Sequence, residues 1–105
     1  MASEGFAAKN YQQGLQRLLA ACDAELVGTK HQDGKLRLDV APSFYDGLRI
    51  DEQTLSFYLR SCTVANLVGK RAVDVAISLG LVEPEHVLVI AGIPHAQLLV
   101  LEKGA

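Results

Sequence analysis

His95 and Gln97, two residues apart, and Asn66 and Gly69, three apart, are polar or glycine positions set into strongly apolar sequence, and they are where recognition chemistry would reside. On an extended chain a spacing of two puts both side chains on one face, so an imidazole and an amide can grip the same ligand. Asn66 adds a donor and an acceptor. Gly69 either clears room for an approaching backbone or permits close packing of its own element. Lys70 and Arg71 follow directly and offer positive charge to an acidic group or phosphate, with solvated helix charges as the alternative.

Cys22, Asp23 and His95 have the residue types of a nucleophilic site, in which a thiolate needs a base and the base needs an orienting group. Nothing in their spacing draws them together, and neither a nucleophile elbow nor a papain-like surround is present, so no catalytic residue is assigned. His31, His86 and His95 form no i, i+4 pair, and Cys22 and Cys62 no Cys-x-x-Cys unit. No metal site and no cofactor are expected on that ground. The glycine loops that cradle phosphates in nucleotide hydrolases and dinucleotide enzymes do not occur. Two cysteines are too few for a disulfide framework and are expected to be reduced and buried.

The elements that must position these residues belong to a chain of 105 residues, 50% apolar and 21% charged, with a formal net charge of −2. A mean hydropathy of +0.19 supplies enough apolar surface for folding and argues against disorder. The acidic balance argues against a sequence-independent coat on nucleic acid, which depends on many phosphate-neutralising cations. The longest apolar stretch, Val87 to Pro94, is far short of a bilayer span, and no basic-then-apolar leader opens the chain. A cytoplasmic protein without a membrane partner is expected, with residues 1–5 frayed and 6–105 forming a single domain.

Between Tyr11 and Leu26 two parses compete. Tyr11, Leu15, Leu18, Leu19, Cys22 and Leu26 fall on one face of a helix, whereas Phe6–Gln12, a Gln13-Gly14 turn and Leu15–Cys22 make a hairpin. Asp23 is placed to cap a short turn over Ala24-Glu25-Leu26. Lys35 to Val40 alternates as a half-buried strand and ends at Pro42, and Ser43 to Gly47 reads as a loop. Asp51 opens a helix burying Leu55, Tyr58, Leu59 and Cys62. The apolar stripe Val64, Leu67, Val68, Ala72, Val75, Ala76 and Leu79 predicts a second helix from about Thr63 to Gly80, with Asn66 and Gly69 inside it. His86 to Ala91 reads as a central strand, Gly92-Ile93-Pro94 as a turn, and Ala96 to Leu101 as the last strand.

Five strings carry a resemblance: Ala20-Ala21-Cys22-Asp23-Ala24-Glu25-Leu26-Val27-Gly28, Phe44-Tyr45-Asp46-Gly47, Ala65-Asn66-Leu67-Val68-Gly69 with Arg71-Ala72-Val73, Leu79-Gly80-Leu81-Val82, and Gly92-Ile93-Pro94-His95-Ala96-Gln97. In this order they resemble a small, largely archaeal family known as a domain of unknown function, number four hundred and twenty-four. The resemblance implies an intracellular archaeal protein and favours the N-terminal hairpin, although Leu15-Gln16-Arg17 departs from the family's alternating pattern. It also implies an association with translation initiation. The fold class expected is α+β, a mainly antiparallel sheet with two consecutive helices packed on one face and β-hairpins at both ends.

The function expected is a small non-catalytic interaction protein of the archaeal translation machinery. Its partner would be a ribosomal or initiation-factor protein or rRNA, bound through Asp23, Asn66, Gly69, His95 and Gln97, with Cys22, Lys70 and Arg71 as secondary candidates. The alternative is a small enzyme or ligand-binding protein with a Cys22/Asp23/His95 pocket. Either way a helical stretch holding Asn66 and an extended stretch holding His95 must meet in space. Oligomeric state and the isomer of Pro94 are left open.

Overall fold

Alternation on both faces decides the first element. The computed structural model describes residues 5–100, and in it β1 (Phe6–Gln13) and β2 (Gln16–Asp23) pair antiparallel about a turn at Gly14, whose φ is +61°. Phe6, Ala8, Leu19 and Ala21 enter one core, while Ala7, Ala20 and Cys22 enter another on the opposite face. The helical stripe is therefore a coincidence of spacing: Leu15, one of its members, sits at the turn 90% exposed. Of the residues expected to fray, 1–4 lie outside the described residues, and the Gly5 carbonyl accepts from Ala24 N at 2.9 Å.

A second hairpin, β3 (Lys30–Asp33) with β4 (Leu36–Asp39), precedes the short helix α1 (Pro42–Tyr45) and the strand β5 (Leu48–Ile50). Proline at the head of α1 costs nothing there, because the first N–H of a helix has no intrahelical partner. Asp51 does cap the next helix, α2 (Glu52–Ser61): its carboxylate accepts from Thr54 N at 2.9 Å, and Leu55 and Leu59 are buried.

The predicted helix from Thr63 divides into a strand, β6 (Val64–Val68), and a helix, α3 (Lys70–Ser78). Gly69 separates them with a φ of +108°, a conformation closed to the interior of a helix. Ala65 and Leu67 face one core and Val68 the other, and a strand apolar on both faces also satisfies a helical template.

After a 3₁₀ turn at Pro84–His86 come β7 (Leu88–Ile90) and β8 (Ile93–Leu99). The reversal falls at Ala91 and Gly92, both at positive φ, so Ile93 and Pro94 belong to the strand. No peptide bond among the described residues is cis, which makes Pro94 trans. The expected last strand starts earlier than Ala96, and its end at Leu101 lies outside the described residues.

Six strands form one sheet in the order β5-β1-β2-β6-β8-β7, with β2 and β6 parallel and every other pair antiparallel. Strand β7, expected at the centre, is a three-residue edge. The central places belong to β2 and β6. Helices α2 and α3 cover one face over Leu19, Ala21, Ala65, Leu67, Ala96 and Leu98. The opposite face is covered only in part: Leu38 and Val40, with Tyr45 of α1, close over Ala7, Cys22, Val68 and Ile90. The fold is thus α+β, mainly antiparallel, with both long helices on one side and hairpins at both ends. No helix among the described residues is long and apolar enough to cross a membrane.

Candidate functional site

The register of the sheet brings Asn66, His95 and Gln97 together. Asn66 lies directly opposite Gln97, and His95 opposite Val68, on adjacent antiparallel strands. All three side chains therefore share the face that α2 and α3 do not cover. His95 Nε2 stands 3.1 Å from Asn66 Oδ1, so the ring N–H donates to the amide oxygen and leaves Nδ1 as an acceptor. Burial holds the imidazole below its ordinary pKa, which favours the neutral ring. Gln97 is exposed, while Asn66 and His95 are half-buried. The expected meeting of two distant stretches is present, with both of them extended rather than one helical.

This polar group has an apolar border. Val64 and Leu99 pair in the next row of the same face, where Leu18 continues the line, and Leu99 is 65% exposed. Leu88, opposite His95 on β7, is 46% exposed. At the far end of the Asn66 row, Lys9 is turned away, donating from Nζ to Ser43 O at 3.0 Å. The result is an open strip of amides and an imidazole flanked by leucines, with no free cation among the described residues that form it.

Asp23 and Gly69 are part of a different structure. Asp23, 4% exposed at the end of β2, accepts from Ala72 N at 2.8 Å and Arg71 N at 3.2 Å, the free amides at the start of α3. A carboxylate there satisfies orphan donors and complements the helix dipole. The 3₁₀ turn Ala24–Leu26, which Asp23 was expected to cap, has no side-chain cap. The cap serves a helix 49 residues away. Gly69 occupies the N-cap position of α3, and a Cβ there would come under 3.0 Å from the Asp23 carboxyl atoms. The space that glycine clears is filled by this chain's own aspartate. Burial pushes the Asp23 carboxyl above its ordinary value, while the Ala72 and Arg71 amides pull it back.

The secondary candidates are engaged as well. Lys70 Nζ pairs with Asp74 at 2.9 Å on the surface of α3. Arg71 bonds Glu25, lies 3.9 Å from Asp23, and stacks over the Phe6 ring 5.2 Å from its centroid. Cys22 is fully buried in the core with Leu38, Val40 and Tyr45, and burial with the nearby Asp23 charge pushes its thiol up to about 12. Cys62 is also buried, free and shifted upward by burial. Successive residues of β2 point to opposite faces, so Cys22 and Asp23 are separated by the sheet itself. The structure does not bring Cys22, Asp23 and His95 together.

Sequence reasoning did not include Leu99, Leu88 and Val64 in the site. The period-two pattern from Ile93 to Leu99 places Leu99 on the face of His95 and Gln97, so it was within reach of the sequence; Leu88 and Val64 required knowledge of strand pairing.

A family model described as a protein of unknown function (DUF424) matches residues 11–101. A crystal structure of an uncharacterized conserved protein from Methanopyrus kandleri is similar over 95% of this chain and 96% of that one, with a TM-score of 0.79 and 22% identity. That likeness is one of fold. No curated protein matches.

Proposed function

We propose that this chain, which belongs to the DUF424 family of proteins of unknown function, is a small non-catalytic interaction protein of the archaeal cytoplasm. It docks on a ribosomal or initiation-factor protein through the strip formed by Asn66, His95 and Gln97 with Leu99 and Leu88. The observation that carries this reading is the uncovered end of a sheet face, where hydrogen-bonding side chains adjoin exposed leucines. Such a combination of apolar contact and orienting polar groups suits a protein surface. The absence of a free cation among the described residues of the strip weighs against rRNA as its occupant, because phosphate contacts need positive charge. The translation machinery as the source of the partner comes from the family resemblance alone.

Co-sedimentation with archaeal ribosomes and binding to purified initiation factors test the proposal. Association is expected to persist at moderate salt and to be lost in Leu99→Glu, which places a charge on the exposed apolar border without disturbing the core. Failure to associate with either at any salt concentration would overturn it.

A further inference from the structure

The helix side of the molecule carries a second feature that the proposed function leaves unused. Strand β1 continues past its core residues Phe6 and Ala8 to Asn10 and Gln12, which face the same side by alternation. With Arg17, Phe57, Tyr58 and Ser61 these amides line a cleft of about 330 Å³ between the first hairpin and the C-terminal half of α2. Phe57 is 66% exposed, and its ring centroid lies 6.1 Å from that of Tyr58 at an interplanar angle of 52°. Arg17 donates from Nε to Ser61 O at 2.6 Å, which fixes the guanidinium at the cleft wall and leaves its terminal nitrogens without an acceptor among the described residues.

Charge separates this cleft from the one beside Arg71. There the arginine is bonded to Glu25, and Glu52 and Asp74 line the same space, so an anion would meet two carboxylates. None of the residues lining the Arg17 cleft is acidic, although the whole chain has a net charge of −2. Arg60 lines an adjoining hollow that shares Phe57, which adds a second cation there together with one carboxylate, Glu52. An exposed aromatic ring, two side-chain amides and an arginine in each of the two hollows that share the ring match the three parts of a nucleotide. The ring stacks on a base, the amides bond base edges, and the guanidinium groups meet phosphate.

We infer that the Asn10–Arg17–Phe57 cleft binds single-stranded nucleic acid, holding one base against Phe57 and one phosphate at each of Arg17 and Arg60. This is local binding by a short segment, so it is compatible with an acidic chain that cannot coat a polyanion. It is independent of the strip on the opposite face.

Phe57→Trp supplies the test, because the protein contains no tryptophan and the new indole reports stacking by quenching. Hexamers of uridylate, adenylate and deoxythymidylate are titrated at low salt, with uridine monophosphate as a separate arm. Quenching by a hexamer is expected, and the ribo- and deoxyribo-hexamers distinguish an RNA source from a DNA source. Fluorescence anisotropy of labelled hexamers with the unsubstituted chain should show affinity falling with salt at a slope of about −1.4, roughly −0.7 for each of two phosphates. Phe57→Ala should weaken binding by roughly five- to a hundredfold. Because Phe57 is exposed, the same variant should keep its thermal midpoint. The inference is overturned by a lack of binding to every hexamer at low salt, by binding that Phe57→Ala leaves unchanged, or by uridine monophosphate binding as tightly as the hexamers. It is equally overturned by a concentration-dependent dimer in sedimentation velocity that Phe57→Ala abolishes. Leu99→Glu should leave hexamer binding intact, which separates failure here from failure of the docking strip.

Discussion

Asn66 and Gly69 are three residues apart, yet they serve two polar constellations that differ in kind. Around Gly69, Asp23 and Arg71 every polar group has a partner within the chain: two amides for the carboxylate, and Glu25 and a phenylalanine ring for the guanidinium. Around Asn66, His95 and Gln97 the side chains make one hydrogen bond among the described residues, and further donors and acceptors face outward beside exposed leucines. Buried polar groups must be satisfied internally, whereas a surface that takes a partner keeps bonding capacity in reserve. Residue type alone does not separate these cases. What separates them is the sheet face on which each side chain emerges.

The sharpest way to break this comparison is to disturb the capped junction. Gly69→Ala is expected to cost about 3–5 kcal/mol, combining a φ of +108° with a collision against the Asp23 carboxyl, which is itself pinned by two hydrogen bonds. Asp23→Ala should cost about 2–3 kcal/mol, since it leaves the Arg71 and Ala72 amides unsatisfied at a buried helix start. Urea titrations followed by circular dichroism measure both. A loss below about 0.5 kcal/mol in either would show that the junction is not a structural cap and would return Asp23 to the binding site.

A smaller effect concerns acid. Burial lowers the pKa of His95 in the folded state below 6.5. As pH falls below that value the unfolded chain takes up a proton that the folded chain resists, so stability falls with pH until the folded group also titrates. The urea midpoint of the native protein should therefore drop between pH 7.5 and pH 5.5 by more than that of His95→Gln. Equal drops in the two proteins would mean that His95 is not held neutral by its surroundings, and that it belongs with the solvent-facing side chains of the strip.

Much of this arrangement was legible from the sequence, and the gaps have physical causes. Alternation located Lys35–Val40 closely, and Asp51 marked its helix because a local cap is written in consecutive residues. Gly69 does clear room, but the group that fills it is the Asp23 carboxylate of β2, and long-range partners leave no local pattern. Val64 to Val68 was misplaced into a helix because burial on both faces erases the period of two. The run around Leu88 was placed centrally for its hydropathy, whereas the site beside β8 toward the centre is filled by β6 through pairing that spans about thirty residues. His95 and Gln97 sharing a face followed from strand geometry alone, and Asn66 joined them through register.

The smallest expected change in stability tests the other half of the comparison. Gln97 is exposed, and no hydrogen bond of its side chain to the described residues is formed, so Gln97→Ala should alter the unfolding free energy by no more than about 0.5 kcal/mol. Its effect on docking should be much larger, since an amide at the centre of a desolvated contact leaves a partner group unpaired when removed. Asn66→Ala should fall between the two cases, because it breaks the bond to His95 as well. A stability cost confined to the Asp23 junction, with a binding cost confined to Gln97, would assign the two constellations separate roles. If Gln97→Ala instead destabilised the fold as strongly as Asp23→Ala and left association unchanged, the strip would be a second structural network, and the docking surface would have to lie elsewhere on the molecule.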